Sequence, residues 1–214
     1  MSGETTTLWR RQIKGRRDDL SRRAGLLFMI GSTCFALGSI PLYALDVPAL
    51  ALGITFFVGS IFFTSAGVTQ LRTARKDQAH RLVWWATVIQ LIGMVFFNIN
   101  TFRSAFVDVP GAEVNQLIWA PDLFGSVAFL IASHLAWWSV TGRLWSVQKE
   151  NDEWWMAALN YLGSIFFMLA AIGAFTLPTT GNVVNIAAVN AGTFFGGVCF
   201  FLGGYLLLPA RQPA

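Results

Sequence analysis

The sequence predicts an all-α fold, a polytopic transmembrane bundle of six helices arranged as three repeated hairpins. Three observations predict it: an apolar composition, six apolar stretches of spanning length, and basic residues gathered at one set of helix ends. Of 214 residues, 55% are hydrophobic and 12% charged, against about 25% charged in an ordinary soluble domain. Mean hydropathy is +0.56. Nine Trp and nineteen Phe add to the membrane signature, because Trp collects where hydrocarbon meets headgroups.

Crossing the hydrocarbon core takes about 20 apolar residues. Six stretches meet that length: 24–45, 48–71, 82–105, 117–140, 154–177 and 183–208. Turn and breaker residues separate them, among them Pro48, Pro110-Gly111, Gly142, Pro178 and Gly181-Asn182. The expected organisation is a basic arm at 1–23, a transmembrane domain at 24–208 with hairpins 24–71, 82–140 and 154–208, and a short tail at 209–214. The first apolar stretch is longer than the roughly 7–15 residues of a signal core, so it reads as an uncleaved helix.

Direction follows from Lys and Arg, which are retained on the cytoplasmic side. Seven lie in the N-terminal arm, four in Arg72, Arg75, Lys76 and Arg81, two in Arg143 and Lys149, and one in Arg211. Only Arg103 falls on the other side. Both termini are therefore expected in the cytoplasm of a bacterial cell, with the chain in its plasma membrane and the hairpin tips outside. The charge excess of four is a topology signal and does not point to nucleic acid. The expected partners are the bilayer, anionic headgroups at the N-terminal arm through Arg10, Arg11, Lys14, Arg16, Arg17, Arg22 and Arg23, and a second copy or another membrane protein through helix faces.

Each stretch carries Gly followed four residues later by Phe: Gly31/Phe35, Gly59/Phe63, Gly93/Phe97, Gly125/Phe129, Gly163/Phe167 and Gly196/Phe200. A small residue comes three positions further on in five of the six, and helix 3 has Asn100 instead. Spacings of four and seven share one helical face. In lipid, small residues let backbones approach and a bulky neighbour fills the notch, so the stripe is expected to be packing glue. Trp84-Trp85 and Trp154-Trp155 precede Gly93 and Gly163 by the same interval, which suggests that hairpins 2 and 3 are copies of one unit. The recurring Gly-Ser-x-x-Phe, as in Gly31-Ser32, Gly59-Ser60, Gly125-Ser126 and Gly163-Ser164, resembles the YrhK-like domain, a small bacterial membrane hairpin. Three tandem copies would span about the whole apolar region. The resemblance implies an architecture and no active residues.

Strongly polar groups inside a membrane are costly and default to functional candidates. Helix 3 is richest, with Gln90, Asn98, Asn100, Thr101 and Arg103; His134 in helix 4 is the intramembrane histidine. Together they make a candidate polar cleft, weighed against interhelical hydrogen bonding. A haem or metal site needs ligands converging from two helices, and His134 has no such company; Cys34 and Cys199 read as small packing residues. No cofactor and no enzymatic activity are expected, since phosphate-loop, zinc-protease, Cys-x-x-Cys and nucleophile-elbow patterns are all missing. Two functional expectations follow: a small solute-binding or transport protein with a polar cleft near helix 3, or a structural or accessory module acting through helix–helix contacts.

Overall fold

A computed structural model describes the backbone of residues 3–143 and 146–208, with side chains from residue 19 onward in those ranges. The expected tail at 209–214 lies outside the described residues. The chain is all-helical: α1 (Gly3–Gly38), α2 (Pro41–Asp46), α3 (Ala49–Lys76), α4 (Arg81–Phe106), α5 (Ala120–Thr141), α6 (Asp152–Gly173) and α7 (Ile186–Leu206). A 3-10 turn (Gly111–Glu113) and a π-helical turn (Asn115–Trp119) lead into α5. Among the described residues the only extended pairing is a single bridge between Thr176 and Val183.

Among the described residues five helices are long and apolar enough to cross a membrane: α3, the stretch Gly111–Thr141 that contains α5, and α4, α6 and α7. The first expected span is the exception. Its apolar run was read as one helix over 24–45, but α1 ends at Gly38 and α2 starts anew at Pro41. Proline lacks an amide hydrogen and pushes its predecessor toward extended backbone, and Ile40 accordingly has φ −76°, ψ 119°. The fifth stretch also stops short of 177, at Gly173, where the Asn185 carbonyl would lie 2.9 Å from an added Cβ. The chain then turns over Pro178 to α7, held by Leu177 N–H to the Asn182 carbonyl at 2.8 Å.

The six long helices form a closed ring in the order α1, α3, α4, α5, α6, α7, each touching its two neighbours. Successive members run in opposite directions, so α1, α4 and α6 leave the basic end while α3, α5 and α7 return to it. Side-chain caps start several helices: Asn151 and Asn185 accept from Glu153 N and Ala188 N, each at 3.0 Å, and His80 accepts from Leu82 N at 3.4 Å.

The Gly/Phe stripe closes the ring through reciprocal contacts in three helix pairs. A Cβ on Gly31 would meet the Phe63 ring at 2.5 Å, and one on Gly59 would meet Phe35 at 3.2 Å. Gly93 faces Phe129 while Gly125 faces Phe97, and Gly163 faces Phe200 while Gly196 faces Phe167. Each glycine is the notch for its partner's ring. The rings themselves converge on the axis in two layers. Phe35, Phe97 and Phe167 form a triangle with centroids 5.8 to 6.4 Å apart, and Phe63, Phe129 and Phe200 lie a layer nearer the basic end, with Phe200 5.5 Å from Phe63 and 5.6 Å from Phe129. Phe35 meets Phe97 and Phe167 edge-on, as Phe63 meets Phe200, and edge-to-face pairs add about 0.5–1.5 kcal/mol each beyond area burial.

The residue after each glycine turns toward the neighbouring pair. Ser32, Ser60, Ser126 and Ser164 are wholly buried; Ser60 shares a 2.9 Å bond with Thr101 of α4, and the Ser32 carbonyl lies against Gly197 of α7. Met94 takes this place in α4 and packs over Gly67.

These notches set a graded expectation for stability. Gly93→Ala puts its Cβ 2.6 Å from Phe129 and 2.9 Å from the Gly125 carbonyl, a backbone obstacle that cannot rotate away, and is expected to cost about 1–3 kcal/mol. Gly111→Ala has nothing within 4 Å and is expected to stay within about 0.5 kcal/mol. Thermal unfolding of the two variants in one detergent checks the difference.

Candidate functional site

The two phenylalanine layers divide the axis. The space among Phe35, Phe63, Phe97, Phe129, Phe167, Ser60 and Met94 is only about 10 Å³, and its one hydroxyl, on Ser60, is already bonded. A water needs about that volume and two to four polar partners, so the plug is dry.

On the basic side of the plug the ring encloses a vestibule of about 550 Å³. Phe28 and Phe200 form its floor, and Asp77, His80 and Glu153 line its rim. The polar wall runs along the arc from α3 to α6: Gln70 and Thr73 from α3, Gln90 and Thr87 from α4, Ser139 from α5 and Asn160 from α6. The opposite sector, where α7 meets α1, is mostly apolar, with Leu207, Gly203, Gly204 and Ala24 and one hydroxyl residue, Ser21. Although Arg22, Arg23, Arg72, Arg75, Lys76, Arg81, Arg143 and Lys149 all lie toward this end, none of the described Lys or Arg lines the cavity.

Three carboxamides stand out. Gln90 is only 9% exposed, yet neither it nor Gln70 nor Asn160 has a side-chain hydrogen bond among the described residues. None of the three has its polar atoms sealed from the cavity, unlike Ser32 Oγ and Asn98 Oδ1, which are buried without a partner among the described residues. Gln90 and Asn160 both lie three residues before their glycine, which puts them about 4–5 Å to the basic side of the helix crossings at a rise of 1.5 Å per residue. Gln70 lies eleven after Gly59 on a returning helix, about 16 Å toward the same end. The three thus mark two depths of one cavity.

The residues singled out from the sequence do not share one cleft. Gln90 to Arg103 is thirteen residues, about 20 Å along an axis, and only Gln90 reaches the vestibule. Asn98 donates to Thr64 Oγ1 at 2.8 Å, and Thr101 bonds to Ser60 and to the Phe97 carbonyl at 2.7 Å; both tie α4 to α3. Asn100 accepts from Ser104 at 3.4 Å on an exposed stretch. His134 lies between the rings of Tyr161 and Trp138 at 5.8 and 6.4 Å, outside the vestibule lining.

Arg103 belongs to a closure at the end opposite the basic one. Pro121 has no N–H with which to serve the Leu117 carbonyl four residues back, and the Arg103 guanidinium donates to that carbonyl at 2.9 Å. The π-helical turn absorbs the irregularity, with Ala120 N–H reaching the Asn115 carbonyl. Asn115 then clamps Thr176 by donating to its carbonyl at 2.7 Å and accepting from its N–H at 2.9 Å. Trp119 donates from Nε1 to the Ala171 carbonyl at 2.8 Å and stacks edge-on against Phe175 at 4.9 Å.

Gln70, Asn160, Asn115 and Trp119 were not singled out from the sequence. A usable signal existed for Asn160, which occupies the same place relative to its glycine as Gln90 does. Asn115 and Trp119 bond to backbone groups far along the chain, which no local pattern announces.

Because Arg103 compensates for Pro121, the two positions are expected to couple. Arg103→Met should destabilise by about 1.5–3 kcal/mol, the range for a charge-assisted hydrogen bond. Adding Pro121→Ala restores an N–H for the Leu117 carbonyl and should recover part of that loss, as read by thermal unfolding of the single and double variants. No family model, curated protein or solved structure matches the chain.

Proposed function

We propose that this chain is a small-solute-binding membrane protein, with α1 joining the five apolar helices as a sixth span and with the vestibule facing the cytoplasm. The observation that carries the reading is the blind cavity of about 550 Å³, within the range of about 300–1,000 Å³ typical of small-molecule sites. It opens at the arginine-rich end and stops at a dry aromatic plug. Such an arrangement admits a solute from one side only. Transport across the membrane would require the two phenylalanine layers to part, so the geometry corresponds to one end state of an alternating-access cycle.

Positive residues retained in the cytoplasm support the orientation. The reciprocal Gly/Phe contacts of α1 with α3, α4 with α5, and α6 with α7 support a reading as three tandem hairpins. In this reading Asn98, Thr101 and Arg103 hold the scaffold, while Gln90 serves the solute.

Thiol accessibility tests it. In a background with Cys34→Ala and Cys199→Ala, the substitutions Ala86→Cys and Ala157→Cys place thiols at vestibule positions. A charged, membrane-impermeant thiol reagent is expected to label both in inside-out vesicles and to label Ala171→Cys, which is fully buried and off the cavity, at least tenfold more slowly. Labelling of the vestibule thiols only from the outside, or from neither side, would sink the proposal.

A further inference from the structure

Given that reading of the vestibule, the geometry points to an uncharged amphipathic ligand whose polar head carries a hydrogen-bond donor beside an acceptor, as an amide or urea does, and whose apolar part lies on Phe28 and Phe200. Three observations bear on it. Gln70, Gln90 and Asn160 project from three helices onto one cavity, and none has a protein partner among the described residues. A carboxamide both donates and accepts, so its natural complement is a group that does the same.

Burial makes the second point. Gln90 is 9% exposed at the deep end of the cavity, against the aromatic floor. The side chain is held by its helix with its carboxamide open to the cavity and to no protein group among the described residues, so a ligand head that donates and accepts can bond to it with little further ordering of the side chain. Apolar surface lies on the other side of the same space, on α1 and α7, so the site has a polar half and an apolar half.

Charge supplies the third. The described residues lining the cavity include no Lys or Arg, and the formal charges they bring are Asp77 and Glu153 at the rim. An anion would find no Lys or Arg among the described residues that line the cavity. A cation would find those carboxylates only near the mouth, away from the deep carboxamides and the floor. The neutral head matches the depth at which the unpaired groups lie.

An isosteric series separates these classes. Benzamide, benzoate and benzylammonium share a ring and differ in the charge of the head. With the full chain in lipid nanodiscs, calorimetric titration is expected to give saturable benzamide binding, with benzoate and benzylammonium each at least tenfold weaker. Gln90→Leu is expected to weaken benzamide at least tenfold, and Asn160→Leu provides an independent test should the first variant fold poorly. Tighter binding of benzylammonium would overturn the inference in favour of the acidic rim, and tighter binding of benzoate would overturn it outright. Benzamide binding that survives both substitutions would remove the carboxamides from the site. If no probe binds while Ala86→Cys and Ala157→Cys still label from the cytoplasmic side, the ligand class is wrong and the vestibule stands. If labelling also fails, the vestibule reading falls with it.

Discussion

Everything in this bundle depends on how close two helix backbones come at a glycine. Apolar contact alone supplies little drive for association in hydrocarbon, where lipid tails are as apolar as leucine. What remains is the density of contact, and the paired Gly and Phe maximise it: the ring from one helix fills the space where its partner lacks a side chain. Since the exchange is mutual, the two helices are fixed in register as well as in distance. Three such pairs then meet through buried serines, Met94 and Gly197, and the ring closes without a central helix.

The same contact decides where the axis is open. Six phenylalanines four residues beyond six glycines must all arrive near the level of the crossings. Because the helices alternate in direction, they arrive in two layers, and together they fill the middle. Small residues further along the stripe, such as Gly203 and Gly204, and the short side chains of Ala86 and Ala157 leave space on the basic side. At the other end the connection before α5 folds inward and is pinned by Arg103, Asn115 and Trp119. A cavity with one mouth follows from packing before any ligand is considered.

Much of this was legible in the sequence. The apolar helices and the Gly/Phe stripe could be read from spacing, because spacing is what places a side chain on a helical face. The break at Ser39–Pro41 was not, since the averaged hydropathy of 24–45 is insensitive to one missing amide hydrogen. The polar residues of the third stretch were grouped because they share a helix, but function in a bundle depends on depth. Residues about 20 Å apart along an axis serve different layers: the Asn98 amide nitrogen and the Thr101 hydroxyl bond to α3, while Gln90 faces the vestibule. Comparing depth across helices, through position relative to each glycine, is the reading that joins Gln90 to Asn160.

The break after α1 also bears on the surrounding lipid. From Ala24 to Gly38 the helix offers about 22 Å of apolar length, against roughly 30 Å of hydrocarbon. Beyond it the short α2, whose Tyr43 hydroxyl is 2.9 Å from Thr55 Oγ1, leaves Leu42 and Leu45 largely exposed, at 70% and 83%. With α1 as the proposed sixth span, lipid beside this flank would meet a shorter helix than lipid beside α4, prolonged by the exposed leucines of α2, and its chains would tilt or the leaflet thin locally to match. In that orientation the protein would not be a uniform cylinder to its membrane: the α1–α2 flank would impose a dent, and bilayers of different thickness would feel that flank first.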